Sequence, residues 1–164
     1  MPRTTFDALP DTARLWIFSA ERSLTPEDRE ALLGEVDGFL NQWAAHGQPL
    51  TCARDVQHDR FLMVAVDEEA AGVSGCSIDA LTRRLRELER RLGMALLDNG
   101  PVHFLAGDDV MRVSRATFGD LAAAGTVTPD TVVFDNTVTT VGAVRAGQWE
   151  RAARETWHGR SFFG

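Results

Sequence analysis

Six consecutive residues combine small side chains with a thiol at the junction between an apolar segment and an amphipathic one. They are Ser74, Gly75, Cys76, Ser77, Ile78 and Asp79. Loops at such junctions commonly carry function, because small residues let the backbone approach a ligand and a helix start offers unpaired N–H groups. A helix start also lowers the pKa of thiols in general. The sequence therefore predicts a binding loop over residues 74–77, with Cys76 as its most reactive side chain.

Cysteine chemistry requires a base and a group that orients the base. His103, in a predicted strand, and His158, near the end of the chain, are the candidate bases, and Asp79 is the candidate orienting acid. The same loop also suits a structural role, because serine and aspartate cap helices and a cysteine packs as a small hydrophobe. Two functions stay open. The sequence favours a binding or interaction module, and the alternative is a cysteine-dependent enzyme or redox sensor centred on Cys76.

Residues 74–77 could also form a nest of N–H groups for an anion. The acidic neighbours Asp67, Glu68, Glu69 and Asp79 oppose this interpretation, because they repel an anion at close range. Histidines, cysteines and acids nowhere show the spacing of a zinc or calcium site. We therefore expect no metal and no cofactor.

Composition excludes several classes of protein. The chain has no lysine, so it lacks the phosphate-binding loop of an ATPase and the amine of a Schiff-base enzyme. The net charge of -7 argues against general binding to nucleic acid. The sequence has no run of membrane-spanning length and no signal-peptide pattern at its start, so we expect a cytoplasmic protein without a membrane partner.

Hydrophobic periodicity predicts the order strand, helix, strand, strand, helix, strand over residues 1–113. The central strand is the apolar run 61–66, and the helices begin at Thr25 and near Ile78. This order predicts an α+β fold with a ferredoxin-like split β-α-β-β-α-β body. Residues 114–164 form a C-terminal α/β extension, which we expect to dock on the body through Trp149, Trp157, Phe162 and Phe163 as part of one structural unit.

The second helix separates leucines from arginines. The leucines recur at helical spacing, while the arginines fall on the remaining surface and are interpreted as a solvated face partly paired with Glu87 and Glu89. The partner of the module is an unidentified protein or small ligand. Analogy with ferredoxin-like folds leaves a homodimer open.

Motifs spread over nearly the whole chain carry a family resemblance. They are Leu9, Pro10 and Asp11 followed by Arg14, Trp16 and Ile17; Trp43, His46 and Gly47; residues 61–67; residues 74–79; Val133, Phe134, Asp135 and Asn136; and Trp157, His158 and Arg160. Together they resemble a small family of uncharacterised bacterial proteins, common in the Bacteroidetes and relatives and frequently labelled ABC transporter ATPases. The resemblance implies kinship of fold and an orphan function, with no catalytic residues to carry over.

Overall fold

The structure, a computed structural model, describes residues 4–45, 47–69 and 77–164. The helices are α1 (Pro26–Leu40), α2 (Asp79–Leu92), α3 (Arg115–Ala123), α4 (Val141–Arg145) and α5 (Trp157–Phe162). The strands are β1 (Arg14–Ser19), β2 (Ala44–Ala45), β3 (Gln48–Pro49), β4 (Thr51–Gln57), β5 (Phe61–Asp67), β6 (Val102–Ala106), β7 (Asp109–Val113), β8 (Val132–Phe134) and β9 (Glu150–Ala152). The chain divides into two compact units, of which the first contains residues 1–97 with 139–142 and the second contains 98–138 with 143–164.

The main sheet of the first unit has β5 at its centre, in the strand order β1-β5-β4. Both neighbours run antiparallel to β5, and Val64 pairs with Trp16 on one side and with Arg54 on the other. Every residue from Phe61 to Val66 is buried. A strand that is buried on both faces needs no polar alternation, so the apolar run predicted the central strand correctly.

Helices α1 and α2 pack on the same face of this sheet. Alternate residues of β5 point to that face, and the leucines of both helices meet them there. Each fully buried leucine contributes roughly 1.5–3 kcal/mol of stability. The shared core contains Leu32, Val36, Phe39 and Leu40 of α1, Leu81, Leu85 and Leu88 of α2, and Leu62, Val64 and Val66 of β5.

Local sequence sets where these helices begin and end. Thr25 accepts a hydrogen bond from the Asp28 N–H at 3.1 Å, and the Asp28 carboxylate accepts one from the Thr25 N–H at 3.1 Å, which forms a capping box. A hydrogen bond from Arg22 and the Thr25 N–H hold the pKa of Asp28 below its usual value. Helix α2 ends at Gly93, which adopts a left-handed φ of 63°.

Residues 139–142 add to the edge of the first sheet. The Leu15 N–H donates to the Thr139 carbonyl at 2.8 Å, and the Gly142 N–H donates to the Asp11 carbonyl at 2.9 Å. A Cβ at Gly142 would lie 2.9 Å from that carbonyl oxygen. The close approach therefore requires glycine at position 142. Through these contacts residues 139–142 belong to the first unit.

The second unit is built on a sheet with the strand order β7-β6-β8-β9, in which all neighbours are antiparallel. Phe104 of β6 and Phe118 of α3 lie in its core, and their ring centroids are 5.5 Å apart. Trp157, Phe162 and Phe163 pack against the same core. The aromatic end of the chain is thus docked on residues of β6 and α3.

The α+β class is confirmed, but the ferredoxin-like sheet is not. Strand β6, predicted as the fourth strand of that sheet, pairs instead with β7 and β8, and Phe104 lies opposite Val133. The units divide between Leu97 and Asp98 rather than after residue 113. Strand pairing depends on distant residues, so the order of elements along the chain could not decide which sheet β6 joins.

Candidate functional site

The predicted binding loop lies mostly outside the described residues, which do not include Ser74, Gly75 and Cys76. Its last member, Ser77, is exposed, and its Oγ accepts a hydrogen bond from the Asp79 N–H at 3.2 Å. The Ser77 carbonyl accepts from the indole Nε1 of Trp43 at 3.0 Å. Ser77 and Asp79 therefore organise the start of α2, and the Cys76 alternative stays a prediction.

His103 is a buried strand residue. It lies in β6 opposite Arg112 of β7, and it is 2% exposed. Val102 and Phe104 on either side of it point into the core of the second unit. Because side chains alternate along a strand, His103 points to the opposite face of the sheet.

His158 is buried in the aromatic core of the second unit, with 1% of its surface exposed. Its ring stacks on Trp157 at a centroid distance of 3.9 Å, and it meets the Phe118 ring edge-on at 6.2 Å. Thr156 Oγ1 donates its proton to the Ala153 carbonyl at 3.0 Å. With the hydroxyl proton directed to Ala153, the imidazole donates in the 2.8 Å contact between His158 Nδ1 and Thr156 Oγ1, as in the neutral tautomer with its proton on Nδ1.

Burial lowers the pKa of His158 to about 4. This value is the net result, in which the negative charge of Asp135 opposes the lowering by burial and the smaller effect of the positive charge of Arg115 adds to it. A general base works best with a pKa near the operating pH, so His158 is a weak base at neutrality. Its contacts give it a structural role, capping and stacking within α5.

The two histidines do not form a catalytic pair. His158 contacts Phe118, which lies on the same side of the second sheet as Phe104, whereas His103 points to the other side. Ser77 and Asp79 belong to the first unit. Among the described residues, no group of three or more histidines, cysteines or acids is placed to hold a metal ion.

Helix α2 presents its buried leucines on one face and three of its five arginines on the opposite face. Successive residues of an α-helix are rotated by about 100°. Three exposed arginines therefore lie within about 60° of one another, directly opposite the buried leucines. We name this set the arginine stripe, and it consists of Arg83, Arg86 and Arg90.

The arginine stripe is only partly neutralised. Arg90 pairs with Glu87 and is 71% exposed, so this pair is open to water. Neither Arg83 nor Arg86 forms an ion pair with any residue in the ranges 4–45, 47–69 and 77–164. Two guanidinium groups on this face are thus available to an outside partner.

The other charged residues of α2 serve contacts within the first unit. Arg84 and Arg91 both contact Glu35 of α1, at 3.3 and 3.0 Å. Glu89 does not pair with the arginines as predicted, because its carboxylate accepts hydrogen bonds from the N–H groups of Leu96 and Leu97. The role of Glu35 was missed, since a bridge between two helices leaves no spacing signal in the sequence.

A surface cavity of about 340 Å³ in the first unit offers less chemistry. Arg54, at its wall, already forms a bidentate pair with Asp37, with distances of 3.0 and 3.2 Å. The Asp55 carboxylate accepts hydrogen bonds from Val56 and Gln57. The lining residues are Thr4, Thr5, Phe6, Asp7, Arg54 and Asp55.

None of the helices in the described part of the chain combines the length and apolar character needed to cross a bilayer. Comparison of the chain with models of known protein families, with curated proteins and with solved structures gave no match.

Proposed function

We propose that this protein is a cytoplasmic interaction module that binds carboxylate-bearing partners through the arginine stripe of α2. One observation carries the proposal: Arg83 and Arg86 project from the face opposite the leucine core, and neither forms an ion pair within the described residues. Guanidinium groups bind carboxylates in a planar, bidentate geometry. A row of them on a rigid helix is therefore a preorganised surface for a cluster of acids.

The charge of the whole chain favours a short acidic partner over a nucleic acid. A polymer of phosphates would meet a protein with a net charge of -7, and non-specific nucleic-acid binding depends on neutralising many phosphates. Three local arginines instead suit a few carboxylates on a protein surface. Each exposed ion pair contributes only about 0–1 kcal/mol, so we expect weak binding that salt disrupts.

The proposal retains a ferredoxin-like origin for the first unit. Its support is the element order β1, α1, β4, β5, α2 and the packing of both helices on one face of the sheet. In this view β6 corresponds to the fourth strand of a ferredoxin-like fold, but it pairs with β7 and β8 of the second unit.

Titration with fluorescently labelled poly-L-glutamate tests the function. The triple variant R83Q/R86Q/R90Q removes three charges while glutamine preserves helix propensity. Its affinity should fall about tenfold, because the three lost pairs together contribute on the order of 1.4 kcal/mol. Fluorescence anisotropy reports the affinity, and binding by the wild type should weaken as salt is raised.

The matched control is R145Q/R154Q/R160Q, which removes the same charge from other exposed positions. It should bind poly-L-glutamate like the wild type. Equal affinity of the wild type and R83Q/R86Q/R90Q would overturn the proposal, and so would an equal loss in the control. Tighter binding of transfer RNA than of poly-L-glutamate would overturn the preference for carboxylates.

A further inference from the structure

The first unit carries an acidic surface on α1 that complements the arginine stripe. Glu27 and Glu30 are exposed, and neither forms an ion pair within the described residues. On a helical projection they lie opposite Leu32 and Val36, which face the core. We name this face the acidic stripe of α1. It consists of Glu27 and Glu30, and it includes the exposed Gly34, which lies on the same face.

We propose that the partner of the arginine stripe is a second copy of this chain, whose acidic stripe it contacts. This inference rests on the proposed function and identifies the source of the carboxylates. The two stripes face the same direction, because α1 and α2 pack side by side on one face of the β1-β5-β4 sheet. Each copy thus presents an acidic helix beside a basic one.

Two-fold symmetry makes this arrangement self-complementary. When α1 of the first copy contacts α2 of the second, the two-fold axis generates an identical contact between α2 of the first copy and α1 of the second. Helix α1 contains five acidic residues against one arginine, and α2 contains five arginines against three acids. Opposite charges therefore meet in both halves of the interface, and any parallel α1-on-α1 alignment is repulsive.

Contacts within one copy leave the stripes available for the second. Arg84 lies over Gly38 of α1, where a Cβ would come within 2.7 Å of its guanidinium, and it pairs with Glu35. These residues fill the seam between the two helices. At Gly34, by contrast, a Cβ would have no atom within 4 Å, so an arginine from the second copy has room to approach beside Glu30.

The interface is polar, so the dimer should be weak and sensitive to salt. Two copies with a net charge of -7 repel each other at long range, but this repulsion is screened beyond about 8 Å at physiological ionic strength. Contacts between the stripes act at shorter distance and are screened less. Association should therefore be strongest at moderate salt and should decline at high salt.

Charge-swapped variants test the inference. In E27R/E30R both stripes are basic, and in R83E/R86E both stripes are acidic. Sedimentation velocity over a range of concentrations should show that the wild type self-associates, whereas each variant alone should have a dissociation constant raised at least tenfold. An equimolar mixture of the two variants should regain association, because both halves of the mixed dimer are again complementary.

The control R154E/R160E changes charge as much as R83E/R86E and should associate like the wild type. Circular dichroism checks that each variant is folded. A wild type that stays monomeric at every concentration would overturn the inference, as would a mixture that fails to associate or a dimer that neither swap affects. If the wild type is monomeric while R83Q/R86Q/R90Q still loses poly-L-glutamate binding, the proposed function stands and its partner is another protein.

Discussion

His158 is one of the residues whose type suggests catalysis, but its burial gives it a structural role. The same imidazole that could serve as a base is stacked on Trp157 and donates its Nδ1 proton to Thr156. Water is largely excluded, and the charged form is disfavoured. Neutral His158 therefore stabilises the folded arrangement of α5. It does not serve proton transfer at neutral pH.

This arrangement predicts a loss of stability in acid. The pKa of His158 is about 4 in the folded protein and about 6.5 in the unfolded chain, so only the unfolded state takes up a proton between these values. The free energy of unfolding that this pKa difference contributes is fully present above pH 6.5 and is lost as the pH falls toward 4. The loss should be on the order of 3 kcal/mol, since each pKa unit corresponds to about 1.4 kcal/mol.

Urea unfolding at a series of pH values measures this dependence. H158N is the matched variant, because its amide can still donate to Thr156 but does not titrate. Its free energy of unfolding should fall less steeply than that of the wild type between pH 6.5 and 4. Parallel slopes for the two proteins would show that His158 takes up its proton without unfolding.

At the scale of elements, the packing of α1 against α2 depends on what fits at Gly38, whereas Gly34 lies on the exposed face of α1. A Cβ at Gly34 would meet open space, whereas one at Gly38 would displace the guanidinium of Arg84. G34A should therefore stabilise the protein by about 0.5–1 kcal/mol through helix propensity. G38A should gain less, because moving Arg84 weakens its pair with Glu35.

Thermal or urea unfolding of the two alanine variants at low protein concentration checks this difference. Dilution keeps self-association from contributing. Equal stabilisation of G38A and G34A would show that the seam between the helices has no need of the Arg84 contact.

Elements with strong local signals could be predicted, and those that depend on distant partners could not. The capping box at Thr25, the leucine stripe of α2 and the apolar run of β5 are each encoded within one segment. The sheet that β6 joins depends on Val133, which lies 29 residues after its partner Phe104, so periodicity gives no information about it. Short elements such as β9 and α5 span fewer than two periods of their patterns.

The arginine stripe could be predicted in part, because its spacing signal also lies within one segment. The spacing of Arg83, Arg86 and Arg90 places them on one face of a helix, which the sequence shows directly. Which of the arginines of α2 find partners depends on where Glu35 and Glu89 lie, which only the tertiary structure reveals. Ser74, Gly75 and Cys76 remain predictions because they lie outside the described residues.

At the scale of the whole molecule, the second unit depends on the end of the chain for its core. Phe162 contacts Phe118 at a ring distance of 4.8 Å, and Trp157 stacks beneath the guanidinium of Arg115. Deleting residues 157–164 should expose Phe118 and lower the melting temperature, since large exposed apolar patches promote association.

Thermal melting with light scattering and a hydrophobic dye compares this truncation with R160A/S161A, which changes only exposed positions of α5. The truncated protein should bind more dye and scatter more light, whereas the control should behave like the wild type. An unchanged melting temperature after truncation would mean that α5 does not stabilise the second unit.

The central claim, that the arginine stripe is the contact surface, is tested most directly by mapping where a carboxylate polymer binds. Poly-L-glutamate titrated into dilute ¹⁵N-labelled protein should shift the backbone amide signals of residues 83–90 most strongly. The amides of β6, β8 and α5 in the second unit should stay in place. Largest shifts outside α2, or no saturable shifts at moderate salt, would contradict the account.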